Sequence, residues 1–407
     1  MPGGWPNIPH MARMPKVAII GGGIGGLAAA LALTRRGIEV TVHEQSAQLR
    51  EIGAGILLSP NALKAFRALG MERDAIAIGF QADYQFVRNW RSGRVITRQD
   101  RGAEVVAKFG ASFLTIHRAD LLDIFARAVP EARVHLGTAC TDVVPGETGA
   151  AARFADGSEV EADVVIGADG IHSVVRESLF GPDAPRFTGC VCWRGLVPVE
   201  ALPKGSRATE MTSWWGPHGH VVHYRVRRGE LVNFVAHYDG DAWTEESWTR
   251  ECDRAELFET YGAWHESLLR LFESSERYYK WALYDRDPLD AWGKGRVSLL
   301  GDSAHPMLPY LGQGAGMAVE DACILADVLA RGADHPGAAL REYERIRMPR
   351  TRRAQLGSRQ RARENHLASP WAQIKRDLRL AWTHRFGADK TPFQTAWLYE
   401  YDVAAPR

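Results

Sequence analysis

The chain has 407 residues, 45% of them hydrophobic and 24% charged, with a formal net charge of +1. That length supports a large core and two domains, and the balance is that of a soluble globular protein, with nothing global that points to nucleic acid or to a membrane. No apolar run reaches the roughly 18 residues of a spanning helix. The cysteines at 140, 190, 192, 252 and 323 lack disulfide or zinc spacing, so they are expected to be reduced, in a cytoplasmic protein.

Residues 1–13 (MPGGWPNIPHMAR) lack the apolar core of a secretory signal and read as a disordered leader or an expression remnant. Residues 16–20 (KVAII) read as a buried strand, 24–36 as an Ala/Leu-rich helix ended by Gly37, and 38–43 as a second strand, a βαβ opening. Helical spacing follows at 60–69 and 119–129. Residues 133–166 alternate like a β-meander and end in the apolar strand DVVI. From 186 to 285 the chain is rich in Trp, Tyr and His with a turn signal about every ten residues, which predicts a separate antiparallel sheet. Strand character returns at 296–300, and a helix begins near 313. Residues 338–385 are helical and Arg-rich, read as a solvated basic face.

The fold class expected is therefore α/β: a Rossmann-like domain from 14–80, 105–185 and 290–365, with an inserted antiparallel-sheet domain from 81–104 and 186–289. A helical C-terminal segment, 366–407, completes it.

Gly21, Gly23 and Gly26 fit G-x-G-x-x-G, directly after a strand and opening a helix. Gly21 allows the tight turn, Gly23 leaves room for a pyrophosphate, and Gly26 lets the helix pack on the sheet. The phosphates would then meet the unpaired N–H groups of a helix start. Glu44, ending the second strand 18 residues after Gly26, can accept from both ribose hydroxyls. No second such motif follows a strand, which favours a tightly held FAD over transient NAD.

Three motifs then carry a resemblance to the single-component flavin-dependent aromatic hydroxylases over about residues 14–360. They are GGGIGG at 21–26 with Glu44, DVVIGADGIHSVVR at 163–176, and GDSAHPMLPYLGQGAG at 301–316. Within that family the chain is most similar to the salicylate hydroxylase, 3-hydroxybenzoate 6-hydroxylase and 6-hydroxynicotinate 3-monooxygenase group. The resemblance implies FAD, with NADH or NADPH and O2 as co-substrates, and hydroxylation of a phenolic aromatic acid through a flavin C4a-hydroperoxide, with or without decarboxylation. The alternatives are a hydroxypyridine or hydroxynicotinate substrate, or a non-hydroxylating FAD/NAD(P)H oxidoreductase. The partner expected is a small aromatic molecule, with no nucleic acid and no membrane, in a monomer or homodimer.

The resemblance also implies residue roles. Glu44 and Gln45 would hold the adenosine ribose, Arg118 would contact the FAD, and the backbone of Cys140 would meet the adenine. Asp302 would bind the ribityl chain or the pyrophosphate. Gly314 and Ala315 would offer N–H groups to the flavin O2/N1 edge, where a reduced flavin gathers negative charge. A helix start there contributes about 0.3–1 kcal/mol when exposed and up to about 2 when partly buried. Asp169 and Arg176 would lie near FAD and NAD(P)H, with a β-turn after a buried strand and a plain surface charge as the competing readings.

On the substrate side, His220 and Tyr224 lie four apart on a strand and so share a face, while His223 points away. The resembling group has a His and a Tyr at this spacing that orient the substrate and draw off its phenolic proton. Imidazole, with an ordinary pKa near 6.5, suits that role. Met211, Leu57, Pro309 and Tyr310 are expected to wall the substrate pocket. Three of these positions depart from relatives: Leu57 replaces a His and Met211 a Cys of the hydroxynicotinate enzymes, and Pro309 a Gln of the hydroxybenzoate enzymes.

Overall fold

The structure, a computed structural model, describes residues 13–49, 55–203, 209–240, 251–386 and 395–405. Residues 1–12 of the expected leader lie outside them.

Two large sheets organise the chain. One is six-stranded, in the order Gly293–Lys294, Val297–Leu299, Val164–Gly167, Lys16–Ile20, Glu39–Glu44, Val134–Leu136. Its neighbours pair in parallel except for the edge hairpin at 293–298. Parallel strands are joined by crossovers that cover both faces, so their residues read as apolar runs. Val17, Ile19, Val42, Val164 and Ile166 are accordingly buried. Helix Ile24–Thr34 makes the first crossover and packs on helix Gly314–Arg331. Small residues set that approach: a Cβ added at Gly25 would lie 3.3 Å from the Cβ of Ala318. The starts of two helices almost 300 residues apart in the chain are thereby brought together.

The second sheet is seven-stranded, in the order Tyr279–Asp285, Arg186–Pro198, Leu231–Asp239, Gly219–Val226, Met211–Gly216, Tyr84–Asn89, Val95–Asp100. It is mixed rather than wholly antiparallel, because Met211–Gly216 runs parallel to Tyr84–Asn89. No hairpin joins those two strands, so no tight turn fixes an antiparallel direction. Helices Arg254–Tyr261 and Glu266–Glu273 cover one face, their Tyr261 and Phe272 clustering with Trp193, Trp214 and Phe234 of the strands. Their side chains had suggested strands, since aromatic content does not distinguish a sheet from the helices packed on it. The opposite face borders a cavity.

The Arg-rich C-terminal helices are not simply a solvated surface. Arg347 of helix Pro336–Asn365 is fully buried, its Nη1 2.7 Å from Glu320 and its Nε 2.6 Å from Asp321. Asp321 also lies 2.5 Å from His305 Nε2 and accepts from the Gly301 amide, while Glu320 accepts from Asn61 and Arg350. This network ties the 301–305 loop to two helices. After helix Pro370–Phe386, the turn Ala396–Tyr399 returns to the core, with Tyr399 edge-on to Phe109 and Phe113.

Candidate active site

The first glycine loop has the shape its sequence suggests. Gly21 takes φ +108°, and a Cβ there would lie 2.4 Å from the Ala168 oxygen. A Cβ on Gly26 would lie 2.0 Å from the Gly21 oxygen, so only glycine lets the helix pack this tightly. A Cβ on Gly23 would meet nothing within 4 Å, which leaves open space at the helix start. Glu44 accepts from the Gly22 amide at 2.7 Å and the Ser46 amide at 2.8 Å. Each carboxylate oxygen keeps lone-pair capacity beyond one such bond. Gln45 is exposed beside it, and Cys140 is half-buried at the start of strand Cys140–Pro145. Burial pushes the Cys140 thiol up to about 11, so it is a neutral, unreactive group.

A cavity of about 520 Å³ runs from this loop to the second sheet. Ile24, Arg118, Gly170, Asp302, Gly312, Gly314 and Ala315 line one end. The two helix starts therefore border one space. Helix Gly314–Arg331 has no acidic residue in its first turn to neutralise its N–H groups. Asp302 is exposed toward the cavity but enclosed by protein, and loss of bulk water raises its carboxyl pKa.

The middle motif buttresses this end. Asp169 accepts from Ser173 Oγ at 2.6 Å, the Val175 amide at 3.1 Å and Ser303 Oγ at 3.1 Å. Its carboxylate is spent on the turn, while the next residue, Gly170, lines the cavity. Arg176 is buried, pairs with Asp183 at 2.5 Å and reaches the Ser303 carbonyl. It is neither a surface charge nor a cavity-lining group.

The second sheet supplies the other wall by strict alternation. Met211, Ser213 and Trp215 line the cavity from one strand, and His220, Val222 and Tyr224 from the next. His223 points to the opposite face and accepts from Trp214 Nε1 at 3.1 Å. Burial raises the Tyr224 pKa, and its ring packs on Gly55, where a Cβ would come within 2.5 Å. Leu57, Pro309 and Tyr310 also line the cavity, so the expected pocket residues come together around it.

His220 lies at the centre of a histidine cluster. It pairs across strands with His237, their rings stacked at 4.4 Å and 6°. His220 Nδ1 lies 2.8 Å from His366 Nε2, and the Tyr310 ring packs beside all three imidazoles. Burial, then the neighbouring imidazoles and the Arg361 charge, hold His220 well below its ordinary pKa. His237 falls to about 3, for burial and His366. Both imidazoles are neutral at pH 7.

Sequence reasoning missed His237, His366, Arg101 and Arg361. Arg101 and Arg361 both line the cavity; burial is the main cause that lowers the pKa of each, Arg361 to about 9. Arg101 donates to Gln85 and Gln99, and its Nε has no partner. The alternation of Gln99 with Arg101 was visible in the sequence. The cross-strand register that brings His237 to His220, and the inward face of the C-terminal helix, were not.

Fold and site together define a dinucleotide-binding α/β scaffold whose glycine loop shares a cavity with an aromatic-rich sheet. The family described as "FAD binding domain" matches residues 14–356, and the chain belongs to it. It is 40% identical to the 3-amino-4-hydroxybenzoate 2-monooxygenase PtnB3 of Streptomyces platensis over 390 residues, 96% of this chain and 97% of that protein. It is 37% identical to the 6-hydroxynicotinate 3-monooxygenase of Bordetella bronchiseptica, over 85% of this chain and 91% of that one. Among solved structures it is similar to Klebsiella pneumoniae HpxO complexed with FAD and uric acid, with TM-score 0.83 and 30% identity, covering 92% of this chain and 95% of that one. The protein is an FAD-dependent aromatic monooxygenase.

Proposed function

We propose that the enzyme hydroxylates an aromatic acid bearing a ring hydroxyl, using NADH or NADPH and O2. The observation that carries this reading is the cavity wall itself: two buried arginines, Arg101 and Arg361, share it with a neutral histidine, His220, and a tyrosine, Tyr224. A carboxylate is the ligand that two buried guanidiniums favour, by charge-assisted and bidentate hydrogen bonds. His220 and Tyr224 then meet the ring hydroxyl.

FAD fits the residues at the other end. Glu44 is positioned for ribose hydroxyls, the space at Gly23 for pyrophosphate, and the start of helix Gly314–Arg331 for the anionic edge of the flavin. When bound, it would supply the electrons that activate O2, and the oxygen atom that reaches the ring would come from that O2. The chain's own part is different. The arginines orient the acid, His220 accepts the hydroxyl proton so that the ring becomes more electron-rich, and Leu57, Met211 and Pro309 keep water away.

The relatives' names divide the substrate question. An aminohydroxybenzoate takes oxygen at carbon 2 beside its amine, whereas a 3-hydroxybenzoate takes it at carbon 6, para to the hydroxyl. Loss of the phenolic proton activates the carbon para to the hydroxyl in the second, whereas in the first the amine activates the neighbouring carbon 2; the 40% identity favours the first. Leu57 and Met211 weigh against a hydroxynicotinate.

The purified yellow protein should oxidise NADH or NADPH slowly alone and faster with 3-amino-4-hydroxybenzoate, 3-hydroxybenzoate, salicylate or 6-hydroxynicotinate. Mass spectrometry should find one added oxygen, taken from O2. A flavin that no member of this panel accelerates would sink the reading.

A further inference from the structure

A histidine accepts a proton only on a ring nitrogen that carries a lone pair. His220 has one nitrogen already engaged, Nδ1 at 2.8 Å from His366 Nε2. His366, in the turn that ends helix Pro336–Asn365, has Nδ1 2.6 Å from Asp239 Oδ1. A carboxylate only accepts, so His366 Nδ1 carries the hydrogen. Neutral His366 then presents Nε2 as an acceptor, which makes His220 Nδ1 the donor. The lone pair of His220 is therefore fixed on Nε2, in a side chain that lines the cavity. The far end of the chain reaches water: the His366 side chain is 4% exposed, and that of Asp239 44%.

We propose that His220, His366 and Asp239 form a proton relay, in which His366 and Asp239 set the tautomer of His220 and carry the substrate's hydroxyl proton from the cavity to solvent. The inference rests on His220 as the acceptor of that proton. The steps balance without electron transfer. The substrate O–H bond breaks as its proton bonds to His220 Nε2. The proton on His220 Nδ1 passes to His366 Nε2, and the proton on His366 Nδ1 passes to Asp239 and on to water. One proton leaves and the phenolate stays.

The surroundings of His220 explain why a relay is needed. Against its ring lie His237 from the neighbouring strand, Tyr310 from the 309–311 turn, and His366; Arg361 of the long helix adds its positive charge. An imidazolium held there would be poorly solvated and repelled by Arg361. Passing the charge to His366, beside an acidic group at the surface, removes that cost. His366 and Asp239 act through His220 and touch no substrate, so they are positioning residues.

The test uses FAD-loaded enzyme with His220→Ala, His366→Ala, His366→Gln and Asp239→Asn. Ionisation of the panel acid that the enzyme turns over is followed by its ultraviolet difference spectrum on binding to the oxidised enzyme, across pH. In the His366 and Asp239 variants the bound hydroxyl should ionise about one pH unit higher, and hydroxylation should slow about tenfold. Flavin content and substrate Kd should stay within about threefold, and added imidazole should restore the His366→Ala enzyme. His366→Gln keeps the packing if the alanine variant does not fold. An unchanged ionisation profile and product yield in the His366 and Asp239 variants, with both lost in His220→Ala, would overturn the relay alone. If His220→Ala is also unaffected, or no panel acid binds, the base itself is wrong and the relay falls with it.

Discussion

The two ends of the cavity are built on different physical terms. The flavin end is a backbone surface: helix starts, glycines and amide groups presented by segments near residues 21, 170 and 312. The substrate end is a side-chain surface: residues two apart on neighbouring strands, joined by groups from the C-terminal helix. A backbone surface constrains the sequence sharply, because only glycine fits where a Cβ would meet a carbonyl at 2.0–2.4 Å. A side-chain surface constrains it loosely, since many residues fill a half-buried strand position. The first end therefore defines the family, and the second the substrate.

The largest effect is expected beneath the flavin end. Arg347→Met removes the buried cation shared by Glu320 and Asp321, leaving them Arg350 and His305, and breaking such a buried pair costs about 3–5 kcal/mol. Urea unfolding should show that loss, together with loss of flavin, because Asp321 also holds the Gly301 amide. A change below about 1 kcal/mol would mean that packing alone fixes the loop.

Acid should act next, and on the substrate end. His237, at about 3, and His223, at about 4, are neutral in the folded enzyme, whereas in the unfolded chain they titrate near 6.5. Below that value the unfolded state binds more protons, so stability is full above about pH 6.5 and is lost as pH falls toward the folded values. At pH 5 the loss is roughly 2 kcal/mol for His237 as an upper figure. Ordinary carboxylates titrate lower, so a melting temperature unchanged between pH 7 and 5 would contradict neutral burial.

Within the substrate end, Arg361→Met and Arg101→Met should each raise KM for a carboxylated substrate by about 10- to 100-fold, with kcat less affected. An acid-free phenol should respond little. Equal losses for both substrates would make these arginines structural. Gly23→Ala should then weaken FAD binding about tenfold while leaving apoprotein stability within about 0.5 kcal/mol, because its Cβ meets nothing in the protein. A destabilised apoprotein would show that the space at Gly23 is not reserved for the cofactor.

The same division governs what the sequence disclosed. The parallel sheet was legible because strands buried on both faces read as unbroken apolar runs, as in KVAII and DVVI. The glycine loops were legible because steric exclusion leaves one residue type. The pairing of His220 with Tyr224 followed from the two-residue period within one strand. His237, seventeen residues from His220, needed the register between strands, and that is set by pairing across the sheet. His366 and Arg361 needed the packing of a helix whose many arginines masked its buried side; Arg347 and Arg361 are each under 10% exposed.

Cys140 offers the smallest expected effect and a sharp test of the backbone description. It begins the strand beside the Glu44 end of the six-stranded sheet, and the Thr138 amide donates to the Glu44 carbonyl. If the adenine is met there by main-chain groups, the side chain has no part. Its thiol has a long contact of 3.5 Å with the Asp142 carbonyl and is kept protonated by burial. Cys140→Ala preserves the backbone and removes only that weak contact, so FAD affinity and stability should change by less than about 0.5 kcal/mol. Cys140→Pro, which deletes the amide hydrogen and fixes φ, should weaken FAD where alanine does not. Equal losses in both would place a side chain in the flavin end and end the contrast between a main-chain wall and a side-chain wall.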